Sequence, residues 1–174
     1  MLKHNPVPAR SRVQALFLDY LWIAVYLLVL LILTISFYYL FFRKIPLLTM
    51  FQSQTIATLT SVLPIIAIFS WMDSRGGSWG KKKAGLKVIY QRKALSSALI
   101  RNSIKFLPWQ LGHMGTIIGV YTNFTSFLGH LFTFLRLLLL VILLLMGFFR
   151  KDKRHLGDLL AGSQVVMKTS LSEN

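Results

Sequence analysis

Three charged residues hold the chemistry open to this chain. Asp19 is the only charged residue in the apolar run from Val13 to Phe42, Arg12 stands seven residues before it, and Asp158 lies in a distant C-terminal stretch. A carboxylate at the centre of a membrane helix costs roughly 2.5–3.5 kcal/mol on insertion scales, so Asp19 needs a compensating partner or a use. An ionisable group inside a bilayer is by default a functional hypothesis, and here the chemistry is to hold a cation or to take up and release a proton.

Arg12 and Asp19 share nearly one helix face, but they are ~10.5 Å apart along the axis, too far for a direct pair unless both stretch. A third group is therefore expected. Asp158 is the expected partner of Arg12, and Arg101, Lys105 or the deeper Arg136 are candidates for Asp19. Two readings stand side by side. In one, Arg12, Asp158 and Arg101 form a structural network and Asp19 locks a helix contact. In the other, Asp19 sits beside water in a cleft and alternates between protonated and ion-bound states.

Other chemistries find little support. His4, His113, His130 and His155 show no ligand spacing, so no metal site is expected. The chain has no cysteine, which removes thiol nucleophiles and disulfides. No nucleophile-elbow pattern is present, and Gly80-Lys81 lacks the spacing and hydroxyl residue of a phosphate loop. Neither enzyme activity nor a cofactor is expected. Lys81, Lys82 and Lys83 are expected to meet anionic lipid head groups, at about 1 kcal/mol per charge.

The elements that must position these groups follow from composition. Of 174 residues 55% are hydrophobic and 14% charged, with 20 Lys/Arg against 5 Asp/Glu. Mean hydropathy is +0.60. Such values fit an integral membrane protein of one domain, and the basic excess fits loops beside a bilayer better than nucleic acid, for which no motif appears. The first apolar run is long for a cleavable signal peptide and lacks a small-residue cleavage site. Val13–Phe42 predicts a first transmembrane helix ending in an aromatic belt. Phe51–Met72 predicts a second, with hydroxyl residues ahead of Pro64 to satisfy backbone groups that the proline frees. Leu131–Phe149, starting as early as Phe127, predicts another.

Residues 104–121 are apolar but interrupted by Pro108, Gly112, Gly115 and Gly119. Basic regions 1–12, 72–105 and 150–174 hold 3, 9 and 5 Lys/Arg, and the positive-inside bias assigns all three to the cytoplasmic side. Parity then predicts four crossings with a short, kinked third helix at about 99–120. The alternative makes 104–120 interfacial or re-entrant and leaves three. The fold class is thus an all-α polytopic membrane protein with a small cytoplasmic strand pair, expected in the inner (cytoplasmic) membrane with both termini cytoplasmic.

The strand pair comes from an internal echo. Gly80-Lys-Lys-Lys-Ala84-Gly85-Leu-Lys-Val88-Ile89 aligns without gaps on Gly157-Asp-Leu-Leu-Ala161-Gly162-Ser-Gln-Val165-Val166. Each reads as short helix, glycine cap, strand. Two such strands could pair beneath the membrane and protect a shared edge.

Taken together, Arg12-x-x-Ala15-x-x-x-Asp19, Gly80-Lys81-x-x-x-Gly85-Leu86-x-Val88-Ile89, Arg101-Asn102 and Arg154-His155-x-Gly157-Asp158-x-x-Ala161-Gly162 resemble the motifs of the RDD family of small integral membrane proteins, over about residues 9–167. The resemblance maps that family's namesake arginine and two aspartates onto Arg12, Asp19 and Asp158. Ser163 stands where the family usually has threonine, and Trp79 where it usually has proline. The resemblance implies an N-terminal arm 1–11, a transmembrane domain 12–167 and a tail 168–174. Its suggested role is ligand or ion transport. Two functions are therefore carried forward: a small transporter or cation/proton antiporter component, and a non-catalytic adaptor holding lipids or a partner through its basic face. A chain of this size is expected to form a homo-oligomer or to join a membrane protein partner.

Overall fold

The computed structural model describes residues 7–168. Helix α1 (Ala9–Phe42) follows Pro8, so it begins inside the expected arm, and the rest of that arm and nearly all of the tail lie outside the described residues. Its last turn closes on Arg43, a left-handed residue whose N–H returns to the Tyr39 carbonyl. Helix α2 (Met50–Ala57) opens with a reciprocal cap. The Gln52 N–H donates to the Thr49 hydroxyl at 3.3 Å, and the Thr49 N–H donates to Gln52 Oε1 at 2.9 Å.

A single π-helical turn (Thr58–Val62) leads into α3 (Leu63–Ser74), with Pro64 in the first turn. The carbonyl four residues before a proline loses its usual N–H donor. Here that carbonyl, on Thr60, accepts the Tyr26 hydroxyl of α1 at 2.5 Å. The Thr60 and Ser61 hydroxyls bond back to Ile56 and Ala57. The hydroxyls expected to satisfy the group that Pro64 frees bond elsewhere, and a tyrosine from another helix satisfies it instead.

After a turn come α4 (Trp79–Lys83), Gly85 in the left-handed region (φ +70°) and β1 (Leu86–Tyr90). Helix α5 (Ala94–Tyr121) leaves β1, a short turn reverses the chain, and α6 (Phe127–Phe149) packs along α5. Then α7 (Leu156–Ala161), Gly162 (φ +59°) and β2 (Ser163–Met167) repeat the pattern of helix, left-handed glycine and strand. The strands pair antiparallel with Val88 opposite Val165 and Leu86 opposite Met167. The echo places Val88 and Val165 at equivalent positions, so the two halves meet around a local two-fold axis through that pair.

Three helical stretches, Ala9–Phe42, Met50–Lys83 and Phe127–Phe149, are long and apolar enough to cross a membrane. The segment expected as a short, kinked helix at about 99–120 belongs to a longer helix of 28 residues, Ala94–Tyr121, with Pro108 inside it. Its glycines are a packing face. A Cβ on Gly115 would lie 2.6 Å from Thr133 Oγ1 and 3.1 Å from the Gly129 carbonyl, so the absence of side chains lets α6 approach closely.

Two apolar clusters frame the middle of the molecule. One joins Val7 and Ala15 to Ala84, Leu86, Val88 and Val165 of the strand layer. The other joins Ile23 of α1 to Ile65, Phe69 and Phe106. Among the described residues of α1, only Ala15, Asp19 and Ile23 are buried, one turn apart. Asp19 therefore sits where the two clusters meet.

Candidate functional site

Asp19 is bound from the α4 side. Its Oδ2 accepts the Ser78 hydroxyl at 2.6 Å, its Oδ1 accepts the Gly80 N–H at 3.0 Å, and Lys81 Nζ stands 3.8 Å away. The approach requires a glycine at position 80, because a Cβ there would lie 2.4 Å from the Ala15 carbonyl and 2.6 Å from Asp19 Oδ1. None of the cations expected beside Asp19 pairs with it directly. Arg101 goes elsewhere, and among the described residues neither Lys105 nor Arg136 makes a hydrogen bond or ion pair, although Lys105 lies within electrostatic reach of Asp19 and Asp73.

The centre of the network is Asp73, in the last turn of α3. Fully buried, it accepts the Ser78 N–H at 3.0 Å, Lys81 Nζ at 2.8 Å, Asn102 Nδ2 at 3.2 Å and a short bond from Arg101 Nη1. Arg101 spans two acids, since its Nε donates to Asp158 Oδ1 at 2.6 Å. Lys81 likewise links Asp73 to Ser78 and, at longer range, to Asp19. The chain has five acidic residues, and three of them meet here on one layer with Lys81 and Arg101. The scarcity of acids was the available signal for Asp73.

Two expectations are corrected. Arg12 does not pair with Asp158. Its Nη1 donates to the carbonyls of Gly147 (3.2 Å) and Lys153 (3.0 Å), tying α1 to the end of α6, while its Nε and Nη2 are buried without a hydrogen-bond partner. Lys81 is not a surface lipid contact, because the first turn of α4 points it inward; Lys82 and Lys83 alone of that run are exposed.

Asp158 caps its own helix. The His155 N–H donates to Oδ2 at 3.3 Å, the Asp158 N–H donates to His155 Nδ1 at 3.4 Å, and Ser163 Oγ donates to Oδ1 at 2.8 Å. His155 Nε2 lies 3.2 Å from Oδ2. The neutral tautomer protonated on Nε2 satisfies both ring contacts, whereas a second proton on Nδ1 would face the Asp158 N–H. Burial holds the His155 pKa down at about 4, against the opposing pull of Asp158. Burial also works against the Asp158 charge, but Arg101 and the hydrogen bonds from Arg101 and Ser163 outweigh that and hold the carboxyl well below the usual range.

The local two-fold extends to the ligating groups. Gly157 repeats the role of Gly80, since a Cβ there would lie 2.7 Å from the Arg101 carbonyl of α5. Each short helix thus docks a glycine on a long helix. The position after that glycine carries a buried charge, Lys81 in one half and Asp158 in the other, of opposite sign. Gly85 and Gly162 supply the left-handed turns into the strands, as read from the echo.

A cavity of about 800 Å³ opens beside this layer. Its walls are α1, α5 and α6, and Asp19, Lys81, Arg101 and Asp158 form its charged end. Lys105 and Arg136 line it farther along, with Trp109, Leu140 and Leu143. Among the described residues no group of three His, Cys, Asp or Glu is arranged to hold a metal ion.

Compared with known proteins, the chain matches one family model, described as RDD family, over residues 6–162. No curated protein and no solved structure matches.

Proposed function

The chain belongs to the RDD family, and from that premise and the geometry above we propose that this multi-pass membrane protein is a component of a small-solute transporter whose pathway is the cavity between α1, α5 and α6. The observation that carries the reading is the cavity itself, which reaches from the helix walls to the buried charge layer. In this reading the protein crosses the membrane four times. Helix α5 leaves the strand pair and α6 returns to it, so α5 covers the same thickness as α6. The strand layer and its basic flanks face the cytoplasm, in keeping with the positive-inside bias.

Asp19 acts here as a latch rather than as the ion site. Both of its oxygens already accept hydrogen bonds and a lysine stands nearby, so a cation would have to displace Ser78 or compete with Lys81. The adaptor reading keeps one supporting observation, the exposed Lys82 and Lys83 beside the strand layer. The test is flux into vesicles reconstituted with the purified chain, using proton, sodium and potassium gradients and a short-chain carboxylate. Flux above protein-free vesicles is expected. A phenylalanine at Gly147, where the added side chain enters open space in the cavity, should abolish it without unfolding the protein. Asp19→Asn should reduce the folded yield and leave ion preference unchanged. A folded wild type that moves none of these probes sinks the transporter reading in favour of the adaptor.

A further inference from the structure

The charge on the cavity wall does not balance. Arg12, Lys81, Arg101, Lys105 and Arg136 line it, against Asp19 and Asp158. Adding Asp73, which both Lys81 and Arg101 contact, still leaves five cations facing three carboxylates. Lys81 and Arg101 use up the acids. Among the described residues the remaining three make no ion pair: Arg12 Nε and Nη2 are buried without a hydrogen-bond partner, Lys105 Nζ stands over the rings of Phe69 and Phe106 at 4.9 and 5.0 Å and feels Asp19 and Asp73 only at longer range, and Arg136 lies against Gly112. Cations without a close acid in a membrane interior are costly, and an anion beside them would lower that cost.

Apart from His113, Thr116 and His155, the rest of the wall is mostly apolar. Leu140, Leu143, Leu144 and Phe148 of α6 face Leu16 and Tyr20 of α1. Tyr20 is 63% and Leu144 45% exposed while lining the cavity, so the cavity is open there, among the exposed apolar side chains of α1 and α6. Its size suits a head group and part of one chain.

We propose that this cavity binds an anionic amphiphile from the bilayer, a lipid with a phosphate head group, which enters between α1 and α6. The phosphate meets Arg136, partway along the cavity wall, and a chain lies along the leucine wall of α6. The site is distinct from the exposed Lys82 and Lys83 beside the strand layer. The inference rests on reading the cavity as ligand space, which the transporter proposal shares, but it does not depend on transport.

The test is native mass spectrometry of the full chain released from nanodiscs that contain equal phosphatidylglycerol and phosphatidylcholine. Preferential retention of phosphatidylglycerol is expected. Arg136→Gln should lower that retention about tenfold, equivalent to about 1.4 kcal/mol. Arg136 makes no ion pair among the described residues, so this variant keeps the fold even if Lys105→Gln does not. Lys82→Gln with Lys83→Gln should retain the lipid as wild type does. Equal retention of phosphatidylcholine, or phosphatidylglycerol retention unchanged by Arg136→Gln, overturns the site. Displacement of the lipid by millimolar inorganic phosphate overturns its amphiphilic character and assigns the cavity to free anions. Lipid bound without any vesicle flux would keep this inference while the transporter reading fails.

Discussion

Replacing Asp73 by asparagine tests the charge layer at its centre. The carboxylate is fully buried and receives two cations, an amide and a backbone N–H. Asparagine keeps one acceptor oxygen but turns an amide N–H toward Lys81 or Arg101. Removing one partner of a buried ion pair costs about 3–5 kcal/mol. Arg101 retains Asp158 at 2.6 Å and Lys81 retains Asp19 at 3.8 Å, so the lower end, about 3 kcal/mol, is expected. Reversible unfolding in detergent, followed through the four tryptophans, gives the number. Lys81→Met beside Asp73→Asn should be less damaging than the sum of the two, with a coupling of roughly 1 kcal/mol or more. Asp152→Asn is the control, because its partner Arg150 is at the surface, and it should behave as wild type. An Asp73→Asn protein within about 1 kcal/mol of wild type, or additive with Lys81→Met, would refute the view that Asp73 organises the layer.

Two further outcomes follow. His155 is neutral in the folded protein, its pKa lowered from 6.5 to about 4 by burial. The unfolded chain therefore binds the extra proton first, so stability is complete above the unfolded value and declines as pH falls from about 6.5 toward 4, by up to roughly 3 kcal/mol. Unfolding measured at pH 7.5, 6, 5 and 4 should show that slope, and His155→Gln should flatten it; an unchanged slope refutes the assignment. The strand register is open to a direct check because the chain has no cysteine. Cysteines introduced at Val88 and Val165, which are directly opposed, should cross-link on mild oxidation. Cross-linking at Val88 with position 163, and not with 165, would disprove the pairing.

The sequence made the long apolar helices and the strand pair legible, because both rest on local pattern. The echo placed Val88 and Val165 at equivalent positions, and the structure pairs those two residues. Partner choice was not legible. Periodicity gives the face of a helix on which Asp19 lies, but its partners Ser78 and Gly80 come from another segment brought over by a turn. In the run Lys81-Lys82-Lys83 the three residues are chemically identical, and only the orientation of a five-residue helix decides which is buried. The α5 glycines posed a different difficulty, since the same residues weaken an isolated helix and allow a close helix contact. Arg12 was expected beside Asp158 because both belong to one end of the molecule. The carbonyls that terminate α6 claimed it first.

The pairing of β1 with β2 also sets an order of assembly during synthesis. When β1 leaves the ribosome its partner strand is not yet made, and the whole α5–α6 hairpin must be synthesised before β2 exists. Through that interval Arg101 lacks Asp158, and the edge of β1 is open to any other extended segment. Asp19, Ser78, Lys81 and Asp73, all encoded earlier, can meet as soon as α4 forms. The N-terminal half thus has a charge clasp available before the C-terminal half arrives, and the last strand to be made closes both the sheet and the ion network. A nascent chain truncated before α7 should therefore be the species most exposed to membrane proteases and chaperones.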